Sequence, residues 1–166
     1  MSKRILITGA TGNVGMETIK SLFRHPLHDQ IIAGVRNIDK SKDLFRDYPD
    51  LQFRYFDFDN LQSYGQAFDG IEILFLLRPP RIADAKLFGS LIDIAYGKGV
   101  RKIVFLSVQG AEKTSYIPHA KIEKIIMDKR LEYVFLRPSY FMQNLTTTLA
   151  ADIKNRQIVL PAGKAV

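Results

Sequence analysis

The sequence contains no cysteine, which excludes disulfides, thiolate catalysis and cysteine-ligated zinc or iron–sulfur centres, and fits a reducing cytoplasm. No apolar run approaches the roughly 20 residues that span a bilayer, so no membrane partner is expected. Ile5–Ile7 is too short for a secretory core and runs straight into a glycine loop. Histidine is scarce as well. His25 and His28, with Asp29, suggest a metal, but Pro26 splits them and no other ligand cluster supports them, so a solvated loop is expected. Also missing is a basic helix face interleaved with aromatics. The net charge is +7, from 24 Lys and Arg against 17 Asp and Glu, yet it is dispersed in pairs such as Lys3-Arg4, Arg101-Lys102 and Lys129-Arg130. Such a surface serves solubility and attracts small anions, and nucleic acid is not the expected partner. With no repeat, linker or low-complexity stretch, residues 1–166 read as one domain.

What is present alternates in period. Short apolar runs at 4–8, 30–35, 51–58, 71–77, 101–108 and 131–138 read as strands. Between them, 14–23, 41–45, 61–68, 84–96 and 118–129 read as helices, the last with Pro118 in its first turn. The runs IEILFLL, RKIVFLSV and LEYVFLRP are apolar on both faces, which is how a parallel sheet covered by helices on two sides is written. The expectation is an α/β fold, a Rossmann-type doubly wound parallel sheet of about six strands.

The first strand runs into TGATGNVG, with Gly9, Gly12 and Gly15 between strand and helix. A turn in that place must let its backbone approach a pyrophosphate, and the helix that follows offers open N–H groups and a positive dipole end. A dinucleotide loop is therefore expected. About 20 residues further on, where NAD-binding folds carry an acid for the ribose hydroxyls, the sequence reads Gly34-Val35-Arg36-Asn37. Arg36 offers a donor fork suited to a 2′-phosphate and Lys40 stands one helical turn on, so NADP(H) is expected over NAD(H).

Several motifs together, TGATGNVG, VRNIDK, YFDFDN, FLSVQGAEK, SYIPHAKIEKII and VFLRPSYFMQNL, resemble the NmrA-like branch of the atypical short-chain dehydrogenases/reductases over essentially the whole chain. That branch includes NADPH-dependent quinone oxidoreductases and NADP-sensing regulators. The resemblance implies that Gly9, Thr11, Gly12, Asn13, Val14 and Gly15 wrap the pyrophosphate and that Arg36, with Lys40, holds the 2′-phosphate. Asp57 and Phe58 would flank the adenine, and Leu76, Leu77 and Arg78 would line the ribose and nicotinamide channel. Ser107, then Pro138, Ser139 and Tyr140, would lie near the nicotinamide. Some of these readings have plain structural alternatives: Arg137-Pro138 also reads as a strand terminator, Phe58 as core and Asp57 as a turn residue.

The wider superfamily transfers a proton through a Tyr-x-x-x-Lys pair. In SYIPHAKIEK, with Glu123 aligned to the family's acid, His119 takes the Lys position and Ser115 the Tyr position, while Tyr116 and Lys121 have the wrong spacing. The tyrosine relay is absent. His119 is the candidate titrating group, as a proton donor or as a support for the nicotinamide ribose. The resemblance further implies that a C-terminal substrate lobe would follow the sixth strand, whereas this sequence ends at IVLPAGKAV, so apolar surface facing that lobe is expected to be open and to favour a homodimer. The function implied is NADPH-dependent hydride transfer to a quinone or similar carbonyl acceptor. A non-enzymatic NADP(H) sensor acting on a regulated protein is the alternative that the lost pair leaves open.

Overall fold

A computed structural model describes residues 2–25 and 29–157. Six strands, β1 (Arg4–Ile7), β2 (Gln30–Val35), β3 (Gln52–Tyr55), β4 (Ile73–Leu77), β5 (Lys102–Leu106) and β6 (Glu132–Leu136), form one sheet in the order β3-β2-β1-β4-β5-β6. Every pairing is parallel. The order reverses between β1 and β4, which opens a crevice at the carboxyl ends of those strands. The helices between them are α1 (Asn13–Arg24), α2 (Ile38–Leu44), α3 (Gln62–Ala67), α4 (Ala85–Gly97) and α5 (Pro118–Asp128), followed by short α6 (Gln143–Thr146) and α7 (Ala150–Lys154).

Strand alternation sorts the apolar residues onto two faces. Leu6, Ile32, Leu74, Leu76, Ile103 and Phe105 project into one core with Tyr64 and Phe68 of the α3 region, Phe88 and Leu91 of α4, and Ile122 and Ile126 of α5. Ile7, Ile31, Ala33, Val35 and Leu77 project to the opposite face and meet Ile19 of α1 and Phe45 at the end of α2. The doubly wound sheet expected from the sequence is the observed fold.

Three local readings change. The second helix starts at Ile38 rather than 41, because the Asn37 side chain accepts from the Lys40 backbone N–H at 2.9 Å and caps it. The third strand stops at Tyr55 rather than 58. Asp57 leaves the ladder to accept from the Asp59 N–H, while Ser63 and the buried Tyr64 hydroxyl tie the 57–58 turn to α3. Burial and the nearby Asp59 and Asp57 push that tyrosine's pKa up to about 12. The sixth strand, expected to be buried on both faces, is the sheet edge: it pairs with β5 on one side, and Tyr133, Val134 and Leu136 are exposed. The segment IVLPAGKAV and His28 lie outside the described residues.

Candidate functional site

The β1 strand is short, and Thr8 ends it by locking onto β4. Its buried hydroxyl accepts from the Leu77 N–H at 2.8 Å and donates toward the Leu77 carbonyl at 3.3 Å. The chain then turns through Gly9 at φ +59°, a left-handed conformation that a side chain disfavours. Gly15, in the first turn of α1, packs so tightly on this turn that a Cβ there would stand 2.8 Å from the Ala10 Cα and closer still to the Gly9 carbonyl oxygen. Strand, turn and helix are thereby fixed as one unit. Gly12 supplies no side-chain cap, so α1 opens with the N–H groups of Asn13, Val14 and Gly15 uncapped by a side chain.

That helix start faces a cleft of about 480 Å³ at the carboxyl ends of the strands. Of the residues singled out in the sequence, Gly9, Thr11, Gly12, Asn13, Val14, Gly15, Arg36, Asp57, Phe58, Leu77, Arg78, Ser107 and His119 line it. Five do not. Leu76 is fully buried in the core beneath α3 to α5, since it is one residue out of phase with Leu77 on the strand. Lys40 is exposed on α2, and Pro138, Ser139 and Tyr140 pass outside the lining, where Phe141 takes their place. Tyr116 is 85% exposed and also lies outside it.

Sequence reasoning missed Pro79, Pro80, Arg81, Leu106, Val108 and Phe141. Most follow the strand ends directly, so the rule that open α/β sheets bind at carboxyl ends was the available signal. Arg81 and Asp59 bridge the loops after β4 and β3 with two hydrogen bonds, 3.2 and 2.5 Å. The Arg81 hydrogen bond holds the Asp59 carboxyl below its ordinary pKa, and Arg36 adds to this.

Two side-chain groups sit at the β4–β5 end. In the first, the Arg78 Nε donates to His119 Nε2 at 3.3 Å, and Arg78 Nη1 donates to the carbonyls of Pro79, Pro80 and Ile82 at 3.1, 3.2 and 2.5 Å. With Nε2 accepting, His119 is the neutral tautomer protonated on Nδ1. Its half-burial against Phe105 lowers its pKa from the ordinary value, and the Arg78 charge lowers it further against a weaker pull from Glu123. His119 therefore stands uncharged at neutral pH rather than titrating there. In the second group, buried Glu123 accepts from Ser107 Oγ at 2.5 Å and from Arg137 Nε and Nη2 at 2.9 and 2.7 Å. Burial pushes Glu123 up, but Arg137 and Ser107 outweigh it and hold the carboxyl below its ordinary pKa. This group joins α5 to the ends of β5 and β6 and holds the Ser107 hydroxyl on Glu123.

A positive-φ turn, an open helix start and a glycine contact that no side chain fits together suit a pyrophosphate. The model of a family described as NAD(P)H-binding matches residues 9–159. The chain belongs to that family. Within it, the chain is of the NmrA-like, atypical short-chain dehydrogenase/reductase kind. It is 32% identical over 96% of its length to prestalk A differentiation protein A of Dictyostelium discoideum, covering 52% of that protein. It is 29% identical to quinone oxidoreductase 2 of Escherichia coli, over 96% of this chain and 56% of that one. Among solved structures, Citrobacter sp. triphenylmethane reductase complexed with NADP(H) superposes with a TM-score of 0.77 at 28% identity, over 98% of this chain and 58% of that one. The chain thus spans about half the length of the curated relatives it matches.

Among the described residues no helix is long and apolar enough to cross a membrane, and no group of three or more His, Asp or Glu is placed to hold a metal ion.

Proposed function

We propose that the cleft binds NADP(H) in preference to NAD(H) and that the protein is an oxidoreductase passing hydride to a quinone or similar carbonyl acceptor. The observation that carries this reading is the convergence, in one cleft, of the uncapped start of α1 and the exposed Arg36 at the end of β2. The helix start suits the pyrophosphate and the guanidinium suits a 2′-phosphate. When bound, the reduced nicotinamide supplies the hydride. The protein's residues orient it: Leu77, Ser107, His119 and Phe141 surround the end of the cleft away from Arg36. The likeness to quinone oxidoreductase 2 supports the class of acceptor.

Titration of the chain with NADPH and NADH, alongside Arg36→Ala, tests this. NADPH is expected to bind more tightly, with Arg36→Ala costing it about tenfold or more, as for a charge-assisted hydrogen bond, and leaving NADH nearly unchanged. Equal affinities for the two cofactors in the unaltered chain would overturn the preference. NADPH binding without its consumption in the presence of menadione would overturn the hydride-transfer reading.

A further inference from the structure

The Arg78 guanidinium is half-buried in the cleft and has no carboxylate partner among the described residues. The other two cleft arginines are differently placed. Arg36 is exposed at the rim, and Arg81 is paired with Asp59. Arg78 is held on two sides, by three loop carbonyls on Nη1 and by neutral His119 on Nε, which leaves Nη2 without a protein partner among the described residues. His119, on α5, lies against Phe105 of β5, so this hydrogen bond ties Arg78 to both elements. A cation held by neutral acceptors keeps its full charge for a ligand. Held in place, it costs no reorganisation when that charge is needed.

We propose that Arg78 is the group that stabilises negative charge on the acceptor oxygen, and that His119 is its positioning residue rather than a proton donor. This rests on the hydride-transfer reading above and names the residue that serves it. The quinone gains one hydride, which is itself two electrons and one proton, and becomes the hydroquinone monoanion. One new bond to hydrogen forms on the quinone as the bond to hydrogen at the nicotinamide breaks, and that ring is oxidised. The remaining proton comes from water, which returns hydroxide to solvent. Until it arrives, the anionic oxygen is paired with Arg78. The missing tyrosine relay is thereby replaced by charge stabilisation without a titrating group. The acceptors that fit are neutral or anionic carbonyl compounds, and cationic dyes are disfavoured by the same charge.

The test uses three acceptor probes: lawsone, a hydroxynaphthoquinone ionised at neutral pH; menadione, which is neutral; and crystal violet, which is cationic. Their affinities are measured with the chain, Arg78→Met and Arg78→Lys, and NADPH affinity in each variant reports an intact site. Arg78→Met is expected to weaken lawsone about tenfold or more, leave menadione within about threefold and improve crystal violet. It should lower the kcat of menadione reduction more than it raises KM, because the anion forms only as hydride arrives. Arg78→Lys should restore most of the lawsone affinity, by keeping the charge. His119→Gln, which still offers an acceptor to Arg78, should weaken lawsone binding less than His119→Ala does, a difference that the loss of a proton donor would not produce. Unchanged lawsone affinity in Arg78→Met overturns the inference while leaving cofactor binding intact. So does a Lys variant as impaired as the Met variant, which would make Arg78 a loop support. Loss of NADPH and pyrophosphate affinity in step with lawsone would assign the cation to the cofactor. Failure of the unaltered chain to bind NADPH removes both this inference and the reading on which it rests.

Discussion

The centre of the sheet and its β6 edge are built differently. Across β2, β1 and β4 the strands are packed on both faces, and Leu6, Ile7, Ile32 and Leu74 are completely buried. At β6 the residues in register with that packing, Val134 opposite Val104 and Leu136 opposite Leu106, are exposed on the α1 side. The glycine turn of the cleft is thus a local product of one strand–turn–helix unit, residues 8–15, with Arg36 added from the end of β2. The half at the ends of β4, β5 and β6 depends on elements far apart in sequence, joined by Arg78 with His119 and by Glu123 with Arg137 and Ser107. The first is contiguous in sequence and anchored to β4 through Thr8, whereas the second is joined by several long-range polar contacts.

The largest effect that would sharpen this contrast is at Gly15. A Cβ there overlaps backbone that has nowhere to move, so Gly15→Val should cost about 3 kcal/mol or more and abolish NADPH binding, read from the urea midpoint and a cofactor titration. Retained binding would mean that the turn is looser than its contacts indicate.

Next come paired truncations in the two regions. Leu6→Ala empties a fully buried site and should cost about 3 kcal/mol, whereas Leu136→Ala, at 41% exposure, should cost under about 1 kcal/mol. The comparison breaks if the two costs are equal. That result would place β6 in an interface in solution, as a homodimer would require, and sedimentation of the same samples would decide it.

This contrast also sets what could be read from the sequence. The glycine turn, the alternation of strands and helices and the cleft at the strand ends all follow from local pattern, and Gly9, Gly12, Gly15 and Arg36 were legible for that reason. Leu76 was misplaced because a run apolar on both faces, such as IEILFLL, does not reveal which residues face which side. The exposure of LEYVFLRP was hidden by the same ambiguity, since central and edge strands differ in neighbours rather than in their own residues. The pairing of Arg78 with His119, 41 positions apart, carries no sequence signal at all.

A smaller effect is expected at the second polar group. Glu123→Gln keeps the shape but removes the charge that two Arg137 donors and Ser107 share, and should cost about 2 kcal/mol, the scale of hydrogen bonds to a charged group. Cofactor affinity at the Arg36 end should hardly change, because the group lies at the far end of the cleft. A loss of NADPH affinity as large as that of Gly15→Val would show that the two halves are not separable.

The smallest effect is the pH response of His119. Its pKa is lowered in the folded protein, so its unfolded form binds the proton more readily. The stability it contributes is therefore fully present above the unfolded value of 6.5 and is lost as pH falls through the lower, folded one. Glu123, also lowered, acts in the same direction but only below its unfolded value of 4.5. Urea midpoints should thus decline in two separate steps on acidification, and His119→Gln should remove the first step alone. The reason is geometric: a protonated imidazole can no longer accept from Arg78, and two cations would then share one half-buried corner of the cleft. Were the first step to survive in His119→Gln, the titrating group would lie elsewhere, and the neutral His119 on which Arg78 rests would lose its support.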